Sequence, residues 1–409
     1  MSAGLRILIV AEHASIQFGG EAALPYHYFR VLRARGEDAW LIVHERTRHE
    51  LAETFPGELD RIRFVPDMAL QKLFHRASKL LPRRIAEATF GLANQMLTQH
   101  AQRGMVRALL TPHTVVHQPI PVSPRFPSLL YGLGAPVVIG PMNGGMVYPP
   151  AFRGSEGWLV RATIALGRML SGVVNTMLPG KRDAQMLLVA NERTRHALPV
   201  QPVTRVVQMV ENGVDLCVWR GAAGLVVPGR FVFLGRLVDW KALDVVLSAL
   251  VLVPEATLQV IGDGPMMQPW QRLAVRLGVA DRVDFVGWRT QAESAVHLAC
   301  CIALLLPSVY ECGGAVVLEA MAAGRPVIAT AWGGPQDYLD AECGILIEPI
   351  SALQMTADFA SAMRRLMESP EECVAMGRAG RERIEREFDW EKKVDAILLV
   401  YAEARASFR

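Results

Sequence analysis

Residues 308–330, SVYECGGAVVLEAMAAGRPVIAT, constrain the fold more than any other stretch of this chain. The apolar run CIALLLP precedes them and ends at Pro307, and its unbroken hydrophobicity predicts a strand covered on both faces, as in a parallel sheet. Gly313 and Gly314 then open a helix that carries Glu319 at its fifth or sixth position. Gly324 ends that helix, Pro326 follows, and residues 327–330 begin the next strand. Such a unit aims the free N–H groups of a helix N-terminus at whatever lies above the turn, which favours an anion such as phosphate. Two carboxylates, Glu311 and Glu319, flank that seat. A βαβ unit by itself names no function, so its surroundings have to decide.

The same pattern recurs along the chain. Residues 5–11 form a continuous apolar strand, Gly19 and Gly20 lie in the loop after it, a helix ends near Gly36, and residues 39–43 form the second strand. Further strands fall at 114–117, 136–140 and 186–190, the last of these closing the first half. The second half starts with residues 231–235 and continues through 258–261 and 283–286, each ending in a glycine turn. This alternation predicts α/β architecture in two Rossmann-like, doubly wound parallel-sheet halves. We place the domains at residues 1–200 and 201–388, with a final helix, 389–409, crossing back to the first. No G-x-G-x-x-G follows the first strand, so a dinucleotide fingerprint is excluded.

Composition removes several function classes. A net charge of +3 over 409 residues gives no argument for a nucleic-acid partner. The six cysteines form no CxxC pair and no zinc spacing, so they read as reduced thiols of a cytoplasmic protein, with Cys312 a packing residue rather than a nucleophile. The N-terminal apolar run is interrupted too soon for a signal peptide, and no apolar stretch reaches the ~18 residues of a membrane span. Residues 68–84 suggest an amphipathic helix, with Leu70, Leu73, Phe74, Ala77 and Leu81 at helical spacing. Its charges, Lys72, Arg76, Lys79, Arg83 and Arg84, are all positive. That helix is either an ordinary solvated element or a peripheral contact with the anionic inner face of a cell membrane.

In the second half, four strand ends point to one edge. Arg236 and Lys241 follow the first of them and match the charge of two phosphates, Arg as a bidentate grip and Lys as a point charge. Trp288 and Arg289 follow the third. With no D-x-D in the chain, no carboxylate pair is offered to a metal–diphosphate, and neutralisation falls to Arg236, Lys241 and the helix N-terminus. In the first half, Asn143 and Gly144 end a strand at the carboxyl edge, where open sheets bind ligands.

Together these residues resemble the family 4 retaining glycosyltransferases of the GT-B fold, over nearly the whole chain. Glu311 and Glu319 match that family's Glu-x7-Glu motif, and Gly235, Arg236, Leu237 and Lys241 its GRL-x3-K motif. ENGVD at 211–215, GDGP at 262–265, the loop at Gly19 and Gly20 and the strand-end His117 match as well. The HQPIPVSPRFPS and GPMNGGMVYPP segments further resemble members that act in bacterial polysaccharide assembly. The resemblance implies two domains facing across a cleft, with a nucleoside-diphosphate sugar on the second and a glycan or lipid-linked acceptor on the first. It implies Glu319 on the ribose, Arg236 and Lys241 on the diphosphate, and Glu311 and His117 at the donor sugar. Gly313, Gly314, Ala315 and Val316 would meet phosphate or sugar, Trp288 and Arg289 the base, and Gly19 and Gly20 the diphosphate. Asn143 and Gly144 would lie on the acceptor side, and neither a metal nor any other cofactor is required. His117 also has a plain reading as a core histidine. One departure stands out: Ala242 replaces the glycine usual after the motif lysine, which is tolerated unless the turn needs a positive φ. Two rival readings are a nucleotide-sugar epimerase on the same scaffold and a non-catalytic nucleotide-sugar-binding subunit.

Overall fold

Most of the apolar runs become buried strands, with Val283–Gly287 only partly covered. A computed structural model describes residues 4–18, 20–78, 90–155, 158–199, 205–220 and 225–408. The chain forms two units: Met1–Gly145 with Gly157–Glu211 and Lys393–Arg409, and Met146–Glu156 with Asn212–Lys392.

The first unit holds a seven-stranded sheet of β1 (Arg6–Val10), β2 (Asp38–His44), β3 (Ile62–Val65), β4 (Thr114–Gln118), β5 (Val137–Met142), β6 (Met186–Val189) and β7 (Arg205–Gln208). Their order is β3-β2-β1-β4-β5-β6-β7, and every pairing is parallel. Leu8, Val10, Ile42, Val116 and Ile139 fill one core of this sheet. Each such side chain contributes roughly 1.5–3 kcal/mol by leaving water.

The second unit repeats the design with β8 (Arg230–Leu234), β9 (Thr257–Ile261), β10 (Val283–Gly287), β11 (Leu304–Leu306), β12 (Val327–Thr330) and β13 (Gly344–Ile347). Its order, β10-β9-β8-β11-β12-β13, is again all parallel. Phe231, Phe233, Leu258, Val260 and Leu305 anchor its core. Helix starts follow local chemistry: Asn191 caps the Glu192–His196 helix, Ser351 caps Ala352–Glu368, and Thr290 with Glu293 forms a capping box on Gln291–Ala299.

Two features differ from the sequence expectation. The strand at 186–190 does not close the first sheet; β7 lies outside it, so the first unit runs on through Glu211. β7 is short and half-exposed, with no strong apolar run to betray it. In addition, Met146–Glu156 belongs to the second unit although the sequence on both sides of it belongs to the first. Residues 79–84 of the expected basic helix lie outside the described residues, as does residue 200 at the expected boundary; Ala69–Ser78 is helical.

Candidate functional site

In the second unit the strand order reverses between β8 and β11, and an open sheet offers its ligand crevice beyond the carboxyl ends of such a pair. Gly235 and Arg236 leave β8 there, and the loop carrying Glu311 leaves β11. Lys241 ends the short Asp239–Lys241 turn, and its Nζ donates to Glu311 Oε2. The pair is well covered, with 12% and 15% of the two side chains exposed. Arg236 is exposed and makes no hydrogen bond or ion pair among the described residues, so its guanidinium is available to an incoming anion. Gly314, with φ +80°, caps the Ala315–Ala322 helix, whose first amides have no acceptor within the helix. Glu319 stands in the second turn of that helix, half-buried, and its carboxyl has no hydrogen-bond partner among the described residues. Desolvation pushes its pKa up to about 7. A half-buried carboxylate without a partner is costly unless a ligand supplies donors, and paired hydroxyls do so.

Backbone contacts hold the cation-bearing loop in place. Leu237 donates its N–H to Asp263 O (2.9 Å), and Met266 returns a bond to Leu237 O (3.0 Å). The glycines of GDGP have a steric reason here: a Cβ on Gly262 would lie 2.0 Å from Gly235 O, and one on Gly264 2.3 Å from Leu237 O. In this structure that motif therefore braces the loop carrying Arg236. Ala242 departs from expectation. Its φ is +49°, the one left-handed non-glycine residue among those described, so the turn does need a positive φ and alanine bears the strain.

Residues 146–156 complete this region in a way that local pattern did not reveal. Trp332 Nε1 donates to Val147 O (2.8 Å), Tyr148 lies 4.9 Å from Tyr310 between ring centroids, and Met146 touches Gly333. The prolines at 149 and 150 precede and open the Pro150–Ser155 helical turn but say nothing about which unit it joins. Trp288, 62% exposed, and the exposed Arg289 follow β10, two strands from β8, with Arg289 donating to Trp288 O (2.9 Å).

The first-half candidates are placed differently. His117 is fully buried: Nε2 donates to Gly140 O (2.7 Å) and Nδ1 accepts from Tyr401 O–H (2.6 Å). Burial lowers its pKa to about 4, so it is a neutral core histidine with both nitrogens occupied and none turned to a sugar. Asn143 is also buried, donating from Nδ2 to Glu211 Oε1 (2.8 Å) and accepting from Thr194 and Arg193 (both 3.4 Å). Gly144 is buried beside it and donates to Thr194 Oγ1 (3.1 Å). These two residues therefore stitch the unit's interior rather than line an acceptor surface. Gly20 is exposed at φ +54°, and Gly19 lies outside the described residues.

Beyond β1 the structure shows residues that the sequence reading passed over. His13 has a pKa lowered to about 4, by burial and by Arg46, and its Nδ1 lacks a partner among the described residues. Glu12 stands 3.6 Å from Arg46. The signal was present: His13 is a strand-end histidine just as His117 is, but His13 lies past the sheet edge and His117 within the sheet.

Comparison with known proteins shows what the chain is similar to. Residues 228–383 match the family model Glycosyl transferases group 1. The D-inositol 3-phosphate glycosyltransferase of Mycolicibacterium smegmatis is 31% identical over 253 residues, 58% of this chain and 54% of that protein. The lipopolysaccharide core biosynthesis glycosyltransferase LpsE of Rhizobium meliloti is 31% identical over 170 residues, 41% of this chain and 48% of its own. The chain thus spans about half the length of the curated relatives it matches. HepE of Anabaena, solved in complex with UDP, superimposes with a TM-score of 0.66 over 98% of this chain and 100% of its own, at 14% identity. The fold is GT-B.

Proposed function

We propose that this chain is a retaining glycosyltransferase that moves a sugar from a nucleoside-diphosphate donor to a hydroxyl of a glycan or lipid-linked acceptor. The observation that carries the reading is the arrangement at the β8–β11 crevice. Arg236, which has no partner among the described residues, and the Lys241–Glu311 pair stand at the carboxyl ends of β8 and β11, and the helix that starts there carries a half-buried Glu319 whose carboxyl has no partner among the described residues. The group 1 match over residues 228–383 covers this crevice and supports the reading, as does a fold neighbour solved with UDP. Glu319 takes the ribose hydroxyls. Arg236, Lys241 and the amides of Ala315 and Val316 hold the diphosphate and stabilise it as it leaves, without calling on a metal. Glu311, held by Lys241, stands beside the sugar, and the departing diphosphate takes the acceptor proton. Likeness to the lipopolysaccharide-core enzyme supports a role in bacterial polysaccharide assembly. No helix among the described residues is long and apolar enough to cross a membrane, and the basic segment at 68–84 makes a peripheral contact with an anionic one at the cytoplasmic face.

The test is a thermal-shift screen against nucleoside-diphosphate sugars, followed by an assay of nucleoside diphosphate release with and without acceptor hydroxyls. One donor is expected to raise the melting temperature, with release depending on acceptor. Glu319→Ala is expected to weaken donor binding about 10- to 100-fold, the worth of a charged hydrogen-bond pair. Isomerisation of the donor without acceptor would assign an epimerase, and binding without turnover a silent subunit.

A further inference from the structure

The chain leaves the first unit after Gly145, spends Met146–Glu156 in the second, and returns at Gly157. Among the described residues this strap supplies no strand to the second sheet, so it adds nothing to that unit's ladder. Its conformation is set locally. Pro149 and Pro150 each fix a φ angle, Phe152 N–H donates to Pro149 O (2.9 Å), and Arg153 Nε donates to Tyr148 O (3.0 Å). The prolines and these bonds stiffen the strap, and Tyr148 and Phe152 rest against the second unit's core.

Three consecutive residues of the strap each meet a neighbour of Glu311. Met146 packs on Gly333, Val147 O accepts from Trp332 Nε1 (2.8 Å), and the Tyr148 ring lies 4.9 Å from that of Tyr310. Tyr310 directly precedes Glu311 in the chain. Gly333 is pressed against the Glu311 peptide: a Cβ there would stand 2.1 Å from Glu311 O and 2.7 Å from Met146 Cε. Gly334 N–H donates to the same Glu311 O (2.9 Å). The Glu311 backbone is therefore held through Tyr310 before it and through Gly333 and Gly334 beside it, and the strap bears on both supports. Arg236 is braced by other parts, Leu237 and the GDGP glycines.

We propose that the strap is a positioning element for sugar transfer, in which Tyr148, acting through Tyr310, holds the Glu311 carboxylate at the donor sugar. The inference rests on the reading that Glu311 stands beside that sugar. A carboxylate that must face one part of a bound sugar tolerates little drift, since misplacement by about 1 Å costs on the order of 100-fold in rate. Nucleotide affinity depends instead on Arg236, Lys241 and Glu319. Loosening the strap therefore separates chemistry from nucleotide binding.

The test compares Tyr148→Ala with Tyr148→Phe in the full chain, with UDP and GDP as nucleotide probes and the donor selected by thermal shift as substrate. Tyr148→Ala is expected to lower kcat about 10- to 100-fold while affinity for the nucleotide probe changes by no more than about twofold. Tyr148→Phe keeps the ring contact and is expected to keep kcat within about twofold of wild type. An unchanged kcat in Tyr148→Ala overturns the proposal. So does an equal loss of nucleotide affinity, which makes the strap a general scaffold of the crevice. Tyr148→Phe as slow as Tyr148→Ala overturns it too, because the ring contact is then not what acts. If Tyr148→Ala does not fold, Trp332→Phe carries the same test by removing the bond to Val147 O. Its kcat is expected to fall about 3- to 10-fold, the worth of one hydrogen bond, and no fall overturns the proposal. Hydrogen exchange needs no turnover: the Gly334 amide, bonded to Glu311 O, is expected to exchange at least about tenfold faster in Tyr148→Ala than in wild type or Tyr148→Phe. Unchanged exchange overturns the positioning role. A wild type that transfers no sugar from any donor defeats the transferase reading, and the exchange result alone then decides whether the strap holds the Glu311 loop.

Discussion

The crevice beyond β1 and β4 and the crevice beyond β8 and β11 occupy the same place in the same strand order, yet they carry opposite charge. In the first, carboxylates prevail and are already engaged. Glu12 faces Arg46 (3.6 Å), Glu21 accepts from Val122 N–H (2.9 Å), and Glu50 takes Ser15 Oγ with the amides of Ile16 (2.8 Å) and Gln17 (3.2 Å). Desolvation holds Glu12 above the usual carboxylate range in spite of that arginine. In the second, Arg236 has no partner among the described residues, Lys241 balances Glu311, and a helix N-terminus adds positive potential. Topology sets where an open sheet binds, and the charges placed there set what it binds. A diphosphate is attracted to the second crevice and repelled by the first.

The sharpest way to break this comparison is to remove one cation from each side. Lys241→Ala is expected to lower kcat/KM for sugar transfer about 100- to 1000-fold, the usual loss for one preorganised charge on a leaving group. Arg46→Ala is expected to change it by no more than about threefold, since Arg46 faces the carboxylate of Glu12 in the first unit. Equal losses would erase the distinction between the two crevices.

Opposed pH responses come next in size. His117 has a native pKa of about 4 against an ordinary 6.5, so the native state binds fewer protons than the unfolded one between those values. The first unit therefore loses stability as pH falls from 6.5 toward 4, by roughly 3 kcal/mol from this group. Glu319 is the reverse: its native pKa of about 7 against an ordinary 4.5 makes the native state hold the extra proton. The second unit loses stability as pH rises from 4.5 toward 7, by an order of 1–3 kcal/mol because the carboxyl still meets solvent. Hydrogen exchange across this pH range is expected to show β4 weakening in acid and the Ala315–Ala322 helix weakening toward neutrality. Glu319→Gln is expected to flatten the second response and leave the first intact.

The smallest effect expected is a gain. Ala242→Gly relieves the φ of +49° and is expected to stabilise the second unit by about 1 kcal/mol, read as a higher denaturant midpoint. No change would mean that the Asp239–Lys241 turn holds its shape without strain.

Much of the second crevice was legible from sequence because its parts are local. Gly314, the Ala315–Ala322 helix and Glu319 follow one another within a few residues of β11, and Arg236 and Lys241 follow β8 in the same way. The first half was harder to read for the same physical reason turned round. Whether His117 faces a ligand or Tyr401 depends on a helix 284 residues away in sequence. Asn143 likewise meets Glu211 across 68 residues. β7 lacks an apolar run, so the domain boundary shifted to Glu211, and nothing local shows that residues 146–156 join the other unit.

Sequence by itself determined the alternation of buried strands and helices, the glycine turns at strand ends and the residue types offered at each of them, because these depend on short-range sterics and hydrophobic period. Tertiary structure alone decided which of those residues are spent on one another. Lys241 reaches Glu311 across 70 residues, His117 is closed off by Tyr401, and Asn175 of the Trp158–Met177 helix turns inward onto Arg125 O. Burial and pairing are properties of packed neighbours, and packed neighbours are chosen by the whole chain.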